Sequence, residues 1–510
     1  MKINIILMLS LLSLIQGNVQ VEVKQSNKIY KKIMKEDSII VTLDSTETKK
    51  LKEYSKKDFP SLEIEKVENL TAETGKKYSV FEKSGFFGDE KINYKNYKTI
   101  LKLTLKNKTK ESVEASIKKA KKEKGVHSAN PNYYFTLSSN GQSDISEYNE
   151  ATYSDNISWA LERIEAPRAW EITTGSSLIR VGVVSSGIDA THEDISQNIV
   201  SGNIHRDFYG NTPTVLSTPT DPLFRGTHIA GIIGAVGNNN IGTSGVCWNV
   251  GLVSLKVTQA HSDMVGLDSL VNAIDYSASI GLPIIDTSIY GFSSDEEIEA
   301  LTAAYDNYSG LAICTAGNDC IGNNLDEYPT YPACCNCDNI ITVTASTPNE
   351  LRDAGRNFGR QSVDLYSPGK DIYSCYPGNS YISLSDTLTA SAFVTGTAAL
   401  ALSINPSLST TTLKNLILDN VDVIDGNVYC ATGGRLNTYK TVLAAKNLLH
   451  THNFSYSYEA INERNHYSYC SCGSSIIEKH TFELLSNGKN RCTKCNYTKS
   501  IGIVPSPFDY

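Results

Sequence analysis

This 510-residue chain lacks several features that would narrow its function at once. It has no excess of positive charge: 47 lysine and arginine residues stand against 55 aspartate and glutamate residues, for a net charge of −8. No nucleic-acid partner is therefore expected. Beyond the N-terminus we find no apolar run that matches the roughly 20 residues of a membrane span, so no membrane span is expected. The first 246 residues also contain no cysteine, so any thiol-based site must lie further along the chain.

The chain begins with an apolar segment that is typical of an export signal. Lys2 precedes the run "INIILMLSLLSLI", and Gly17 supplies a small residue near its end. This pattern predicts a secretory signal peptide over residues 1–17, because the run is too short for a membrane anchor. The product is expected in the lumen of the secretory pathway or outside the cell. Six Asn-x-Ser/Thr sequons agree with export and predict a glycoprotein: Asn69, Asn107, Asn156, Asn307, Asn453 and Asn496.

Composition divides the mature chain into four parts. Residues 25–136 carry strand-like runs and the amphipathic segment "ESVEASIKKAKKEKG", which predicts a small α+β domain. Residues 137–157 are polar and without apolar periodicity, which predicts a linker. Residues 158–446 are long enough for a large domain. Residues 447–510 are rich in tyrosine, serine and cysteine and predict a separate small Cys-rich module.

The pattern of residues 158–446 predicts an α/β fold. Near-continuous apolar runs such as "LIRVGVV", "VGLVSLKV" and "IITVTA" alternate with amphipathic segments such as "DSLVNAIDYSASIG". Strands buried on both faces that alternate with helices indicate a parallel sheet covered by helices on both sides. Sheets of this kind place their functional sites at the carboxyl ends of the strands.

A series of motifs gives this domain a family resemblance. "WALERIEAPRAWEITTG", "FRGTHIAG", "CTAGND" and "LSDTLTASAFVTGTAALAL" occur in this order across residues 158–446. Together they resemble the subtilisin-like serine peptidases, the subtilases. The resemblance implies a subtilisin-like fold and a serine endopeptidase ancestry. "KGVHSANPNYYFTL" resembles the end of the family's propeptide, which implies that residues 25–136 assist folding of the domain and occupy its groove in cis.

The three catalytic positions that the resemblance implies are all substituted. Subtilases carry an Asp, His, Ser triad, in which the histidine takes the proton of the serine and the aspartate stabilises the charged imidazole. The matching positions here are Ser185, Arg225 and Leu388. A serine cannot balance an imidazolium charge, a guanidinium cannot accept a proton, and leucine has no nucleophilic atom. A pseudopeptidase is therefore predicted.

A displaced triad is the alternative. Asp189, His228 and Ser391 follow the lost positions by three or four residues. On a helix this spacing is about one turn, so His228 and Ser391 would lie about 5 Å deeper than the lost residues. The family also carries a second histidine in its His-Gly-Thr-His motif, and His228 matches that residue, for which the resemblance implies a structural role.

Other positions of the resemblance describe the rest of the cleft. Asn318, in "CTAGND", matches the family's donor to the oxyanion. Tyr290 replaces the first glycine of a Gly-Gly pair whose second member is Gly291, so a phenol is expected to narrow or fill the specificity cleft. Arg225 and Asp386 both bring charges that the family lacks there. We expect the two to pair, or Arg225 to offer an anion site near helix amides.

Two metal sites are considered. Paired cysteines in the tail, with histidines beside them, predict either a tetrahedral zinc site or two disulfides, and both alternatives stay open for an exported protein. The loop "GNNNIGTSGV" resembles a family calcium loop but contains no carboxylate, so calcium is also left open. The tail residues concerned are Cys470, Cys472, Cys492 and Cys495, with His466 and His480 near them.

The sequence therefore predicts a secreted subtilase homologue that acts by binding a peptide or protein, either in its altered cleft or through the Cys-rich tail. Its own propeptide is expected as a partner in cis. Two alternatives remain: a serine endopeptidase with a rearranged site, and a product of a decaying gene copy. The glycines and apolar segments that stay in register throughout the domain argue against simple decay.

Overall fold

The computed structural model describes most of the predicted folded regions. The described residues are 18–25, 28–48, 50, 52–75, 97–137, 159–210, 213–259, 262–291, 298–319, 322–424, 426, 429–449, 457–462, 465–469, 475–485 and 489–500. The predicted signal peptide and nearly all of the predicted linker lie outside them. The chain forms two compact units, Met1–Lys446 and Asn447–Tyr510.

The α-helices of the described residues are α1 Ser45–Thr48, α2 Lys110–Ala120, α3 Ala166–Trp170, α4 Arg225–Gly234, α5 Leu267–Ser279, α6 Glu299–Asn307, α7 Thr387–Ile404, α8 Thr410–Asp419 and α9 Thr438–Leu449. The strands of the first unit are β1 Asn18–Gln25, β2 Lys28–Leu43, β3 Ile64–Asn69, β4 Ile100–Leu105, β5 Val126–Thr136, β6 Gly175–Ser185, β7 His205–Asp207, β8 Thr214–Leu216, β9 Asn249–Lys256, β10 Met264–Gly266, β11 Ile284–Thr287, β12 Leu311–Thr315, β13 Ile340–Ser346, β14 Leu365–Pro368, β15 Ile372–Tyr376, β16 Ser380–Leu384, β17 Asp422–Val423 and β18 Gly434–Arg435. Those of the second unit are β19 Ser457–Ala460, β20 Asn465–Tyr469, β21 Ser475–Lys479, β22 Phe482–Leu484, β23 Lys489–Cys492 and β24 Thr498–Ser500.

The N-terminal region folds as an antiparallel sheet covered by one helix. Strands β5, β2, β4 and β3 lie side by side in that order, and β1 pairs with β2. Helix α2 begins where the Thr109 hydroxyl accepts a hydrogen bond from the Ser112 amide, and it packs on β2 and β5. Val113 on α2 joins the core formed by Ile39, Val41 and Leu103. The sheet and helix predicted for this region are thus present, within the compact unit Met1–Lys446.

The main domain is built on a ten-stranded sheet, in the order β17-β18-β14-β13-β12-β11-β6-β9-β7-β8. Its seven central strands, from β14 to β7, are parallel. Strands β12 and β13 are buried at every position because both faces are covered. One apolar core lies against α4, α7 and α9 and a second against α5 and α6. This arrangement confirms the predicted α/β class, a parallel sheet with helices on both faces.

One later segment does reach the length and composition of a membrane span. Helix α7 has 18 residues with a mean hydropathy of 1.5, and 89% of it is buried within the protein. The expectation that no segment after the N-terminus would match a membrane span in length was therefore wrong. The helix contacts β6, β11, β12, β13 and β14, so its apolar surface serves as core of the domain.

The described cysteines are all free thiols. Cys247, Cys314 and Cys375 are fully buried and pack as small apolar side chains within the cores. The prediction of disulfides is thus not met among the described cysteines. Cys320, Cys470 and Cys472 lie outside the described residues.

Candidate functional site

The first two triad positions meet at the carboxyl end of the sheet. Ser185 ends β6, and Arg225 begins α4. The two segments touch backbone to backbone: a Cβ added at Gly226 would lie 1.8 Å from the Gly187 carbonyl oxygen, so only glycine fits there. The Gly226 amide donates to the Ser186 hydroxyl at 3.1 Å. The structure thus brings together the segments that carry Ser185 and Arg225.

Arg225 and Asp386 form an ion pair. The Arg225 Nη1 lies 3.6 Å from the Asp386 Oδ2, and both side chains are buried, at 7% and 4% exposure. The Asp386 carboxylate also accepts a hydrogen bond from the Thr389 amide at 2.7 Å and so caps α7. At the start of α4 the Thr227 amide donates to Asp221 at 2.8 Å, so this amide is already bonded to a side chain. The expected pairing is confirmed, and the alternative anion site receives no support.

We expect the Arg225→Met substitution to lower the free energy of unfolding by about 3 kcal/mol, because it leaves Asp386 buried without its cation. The Arg225→Met/Asp386→Asn double variant keeps the cap of α7 and removes both charges. Its free energy of unfolding should therefore fall clearly less than that of Arg225→Met. Arg163→Met is the control, since Arg163 pairs with Glu350 at the surface and should cost less than about 1 kcal/mol. Urea unfolding measures the free energy of unfolding of the single variant, the double variant and the control. A loss for Arg225→Met no larger than that of the control would contradict this account.

Leu388 lies beside this pair and provides no reacting atom. It is buried, and it lines one small cavity together with Arg225, His228 and Asp386. Asn318 lies on the other side of the start of α7, where its Oδ1 accepts hydrogen bonds from the Thr387 amide and hydroxyl at 2.8 and 2.9 Å. These bonds fix the orientation of the carboxamide. The residue to which the resemblance assigns the oxyanion is thus held at the start of α7, next in the fold to the segment that carries Leu388.

Ser185 does not compensate for the missing carboxylate. The residue is fully buried, and its hydroxyl makes no hydrogen bond with the described residues. A neutral hydroxyl at this place provides no negative charge for a base. With an arginine at the neighbouring position, there is no imidazole for it to orient either. Ser185, Arg225 and Leu388 are thus all buried, and none of the three side chains is a general base.

The displaced set is dispersed over separate networks. The His228 Nε2 lies 3.1 and 3.2 Å from the carbonyl oxygens of Ile372 and Ile382, to which it donates. Burial lowers the pKa of His228 to about 4, so the ring is neutral. The Ser391 hydroxyl donates to the Leu388 carbonyl at 2.8 Å. His228 therefore ties α4 to the β15–β16 hairpin, the structural role that the resemblance implies.

The third member of the displaced set faces elsewhere. The Asp189 carboxylate accepts hydrogen bonds from the Gly378 amide at 2.8 Å and from the Thr191 amide and hydroxyl. Among the hydrogen bonds of the described residues, none joins two of Asp189, His228 and Ser391. A base must lie within hydrogen-bond reach of its nucleophile. The structure does not bring this set together.

Tyr290 fills space next to the "AGN" segment, residues 316–318. Its side chain is 2% exposed. A Cβ added at Gly317 would lie 2.9 Å from the Tyr290 ring, so the phenol packs directly on the backbone of the "AGN" segment. The neighbouring Gly291 is similarly close to the Phe135 ring, at 2.7 Å from a built Cβ. The structure therefore accommodates a large side chain at position 290, whereas the Phe135 ring leaves no room for a side chain at Gly291.

The end of the N-terminal domain lies between two backbone segments of the main domain, Met264–Gly266 and Tyr290, whose facing edges we call the cleft. Strand β5 pairs antiparallel with β10, with Thr136 opposite Met264. On its other side Thr136 exchanges both backbone hydrogen bonds with Tyr290, each at 3.0 Å, and the Leu137 amide donates to the Asp263 carbonyl at 3.1 Å. The segment is thus the middle strand of three, and it occupies both strand edges of the cleft at once.

Buried ionic contacts hold the N-terminal domain on α5. Lys35 and Lys102 both approach the Asp268 carboxylate, each with its Nζ 2.7 Å from one oxygen. Although burial would raise the pKa of Asp268, the two lysines hold it well below its ordinary value. Nearby, the Asp275 carboxylate accepts from the Glu73 and Thr74 amides. Sequence reasoning missed these contacts; an acidic residue in the first turn of α5 was the only available signal.

One sequon contributes to the same interface. The Asn307 side chain accepts from the Lys98 amide and donates to the Lys98 carbonyl, both at 2.9 Å, and the residue is 1% exposed. A glycan on Asn307 would use the nitrogen that makes the second bond. The folded structure is therefore incompatible with glycosylation at Asn307, although Asn69 and Asn107 remain exposed.

The loop considered for calcium is closed by hydrogen bonds. The Asn239 amide group and the Thr243 backbone amide each donate to an oxygen of Asp194, at 2.8 Å. Calcium is bound by oxygen ligands, whereas both oxygens of this carboxylate face N–H donors. The described geometry of the loop thus does not fit a cation at Asp194.

Comparisons with known proteins agree with the fold. The family model of the subtilases matches residues 176–456. The chain is 31% identical to thermitase of Thermoactinomyces vulgaris over 290 residues, which are 57% of this chain and 97% of thermitase. It is 30% identical to subtilisin DY of Bacillus licheniformis over 260 residues, 50% of this chain and 88% of that protein. The chain belongs to the subtilase family.

Proposed function

We propose that this subtilase is a secreted pseudopeptidase that acts by binding an extended peptide or protein segment. The observation that carries the proposal is the Arg225–Asp386 ion pair at the position of the general base. A guanidinium keeps its proton at any relevant pH, so the site cannot activate a hydroxyl or a water molecule. The alternative, a serine endopeptidase with a rearranged site, is not favoured, because Ser391 and His228 each bond to backbone carbonyls instead of to one another.

The class of ligand follows from the two strand edges of the cleft. Met264–Gly266 and Tyr290 present backbone donors and acceptors to residues 134–137, together with the Asp263 carbonyl. Any extended peptide could make the same bonds, which is strand addition. Because Tyr290 takes up side-chain space, we infer that the ligand is recognised mainly through its backbone and through the pocket that now holds Phe135.

The N-terminal domain acts in this proposal as a partner in cis that occupies the cleft. In active subtilases the propeptide is removed by the catalytic site itself. With Ser185, Arg225 and Leu388 at the triad positions, this chain cannot make that cut. A second protease would therefore have to cleave the linker predicted at 137–157 before the cleft could accept another ligand.

We expect the chain secreted by a protease-deficient host to be a single uncleaved species that begins near residue 18. Intact-mass measurement over several days of incubation at 25 °C tests this, because self-processing would release a mature species that begins between about 137 and 158. The positive control is the same chain with a site for a specific protease inserted in the linker, which should yield two fragments on addition of that protease. Spontaneous cleavage at a rate independent of protein concentration and of inhibitors against contaminants would contradict the proposal.

A further inference from the structure

The C-terminal unit is organised around four side chains of metal-binding type. His466 lies on β20, His480 follows β21, Cys492 ends β23 and Cys495 lies in the turn before β24. One ligand atom from each lies within 4.8 Å of all the others. Tetrahedral zinc with bonds of about 2.0–2.3 Å requires ligand separations of about 3.3–3.8 Å. The cluster thus needs only a small contraction to fit a zinc ion.

This unit has almost no other interior. Among the residues of this unit whose side chains the structure describes, His466, Ser468 and Cys492 are the buried ones, and two of them are candidate ligands. A unit of this size has a small core that provides limited stability, which small domains commonly supplement with disulfides or a metal. A cross-link at the place where the four side chains meet would join its two three-stranded sheets, because His466 lies on one sheet and Cys492 on the other.

His466 provides an independent indication of a ligand. Its side chain is 0% exposed, and neither ring nitrogen makes a hydrogen bond with the described residues. A buried polar group without a partner costs about 1–3 kcal/mol, and such groups are rare in folded proteins. The Glu478 carboxylate lies 3.5 Å from Nε2, which fits an outer partner that orients a metal-bound histidine. A metal at the other nitrogen would satisfy the ring.

His480 is already oriented as a ligand. Its Nε2 lies 2.8 Å from the Asn462 carbonyl oxygen, which can only accept, so this nitrogen carries the proton. The unprotonated Nδ1 then faces the Cys495 sulfur at 3.3 Å. Metal-binding histidines typically donate their second N–H to a backbone carbonyl or carboxylate in this way.

The turn that carries both cysteines brings their sulfurs within 4.8 Å of each other. The Cys492 amide donates to the Tyr497 carbonyl at 2.7 Å, and the Asn496 amide donates to the Cys492 carbonyl at 3.2 Å. Asn496 adopts a φ of 59°, the left-handed conformation that closes the turn. Both cysteines are free thiols, and a disulfide between them would leave the two imidazoles unexplained.

We propose that His466, His480, Cys492 and Cys495 bind one zinc ion in a closed, structural Cys₂His₂ site. The site differs from the set expected from the sequence, because the two histidines take the places assigned to Cys470 and Cys472. Four protein ligands leave no open position for a reaction, so the metal stabilises the fold of the C-terminal unit.

The test uses the full secreted chain, purified with and without added zinc. We expect one zinc ion per chain by elemental analysis, protection of Cys492 and Cys495 from alkylation until a chelator is added, and a tetrahedral cobalt spectrum with thiolate-to-metal charge transfer after exchange. His466→Ala and Cys495→Ser should weaken zinc binding by more than about 100-fold, since even outer partners of such ligands are worth about 10–100-fold. The matched controls are His127→Ala and Cys334→Ser in the other unit, which should keep the zinc.

Two results would overturn the proposal. One is a wild-type chain without zinc in which mass spectrometry finds Cys492 or Cys495 in a disulfide. The other is a Cys470→Ser/Cys472→Ser double variant that loses zinc while His466→Ala retains it, which would assign the site to the four cysteines. Alkylation protection is measured on the wild-type chain, so the proposal stays testable even if a ligand variant fails to fold.

Discussion

Purified protein is expected to hydrolyse casein and chromogenic peptides about 10⁶-fold more slowly than an active subtilase, the loss in kcat found when the whole triad of subtilisin, a relative of this chain, is removed. The physical reason is the simultaneous absence of a proton acceptor at Arg225 and of a nucleophile at Leu388. Asn318 alone should accelerate hydrolysis very little, because an oxyanion donor stabilises charge that develops only when a nucleophile attacks. Initial rates with a range of peptides measure the effect.

Occlusion of the cleft must be separated from loss of chemistry. The linker should therefore first be cut in trans at an inserted site, the N-terminal domain removed and the added protease inhibited. We expect the exposed domain to remain inactive. Turnover within about 10²-fold of an active relative, abolished by Ser391→Ala, would instead establish the displaced triad.

In a chain cut in the linker, Asp268→Asn is expected to weaken the binding of the N-terminal domain by about 10²-fold to 4 × 10³-fold. The substitution leaves Lys35 and Lys102 facing a neutral amide in a buried site, and breaking a buried ion pair on one side costs about 3–5 kcal/mol, at 1.4 kcal/mol per tenfold. Dissociation constants from surface-based binding measure the change. Asp58→Asn is the control, because Asp58 pairs with Lys52 at the surface of the same domain, and its loss should change the affinity by less than about fivefold.

The same comparison has a defined pH dependence. The pKa of Asp268 is held well below its ordinary value in the folded protein, chiefly by Lys35 and Lys102 acting against the effect of burial. The contribution of ionised Asp268 to binding of the N-terminal domain is therefore complete above about pH 4. It is lost as the pH falls through the lowered pKa. The difference between wild type and Asp268→Asn should be constant from pH 6 to 8. A difference that disappears within that range would show that another group dominates the interface.

The sequence predicted the parts of this protein that depend on local pattern. Apolar strands that alternate with amphipathic helices predicted the parallel sheet, and motif order placed Ser185, Arg225 and Leu388 at one end of it. The Arg225–Asp386 pair could be predicted because both residues belong to motifs that converge on one site. In each case the relevant geometry is set by a strand end or a helix start within a few residues.

The parts that depend on long-range register could not be predicted. Asp268 meets Lys35 and Lys102 across 233 and 166 residues, and nothing local marks those lysines among the many of the N-terminal domain. In the tail, spacing alone favoured the four cysteines. The pairing of β20 with β21 places His466 next to Glu478, while β23 and the turn that follows it bring both thiols to His480. The sequon likewise predicts a glycan at Asn307, and only the contact with Lys98 in the structure shows that the side chain is buried.

Reaction of the purified chain with a fluorophosphonate probe tests the central claim most directly, because the probe labels any serine that a neighbouring base has activated, whatever its position in the chain. After removal of the N-terminal domain in trans, we predict no covalent label by intact mass, in wild type and in Ser391→Ala alike. An active subtilisin treated in parallel should be labelled stoichiometrically. Stoichiometric labelling of the wild-type chain at Ser391, or at any other serine of the cleft, would contradict the account and show that this subtilase has kept a catalytic site.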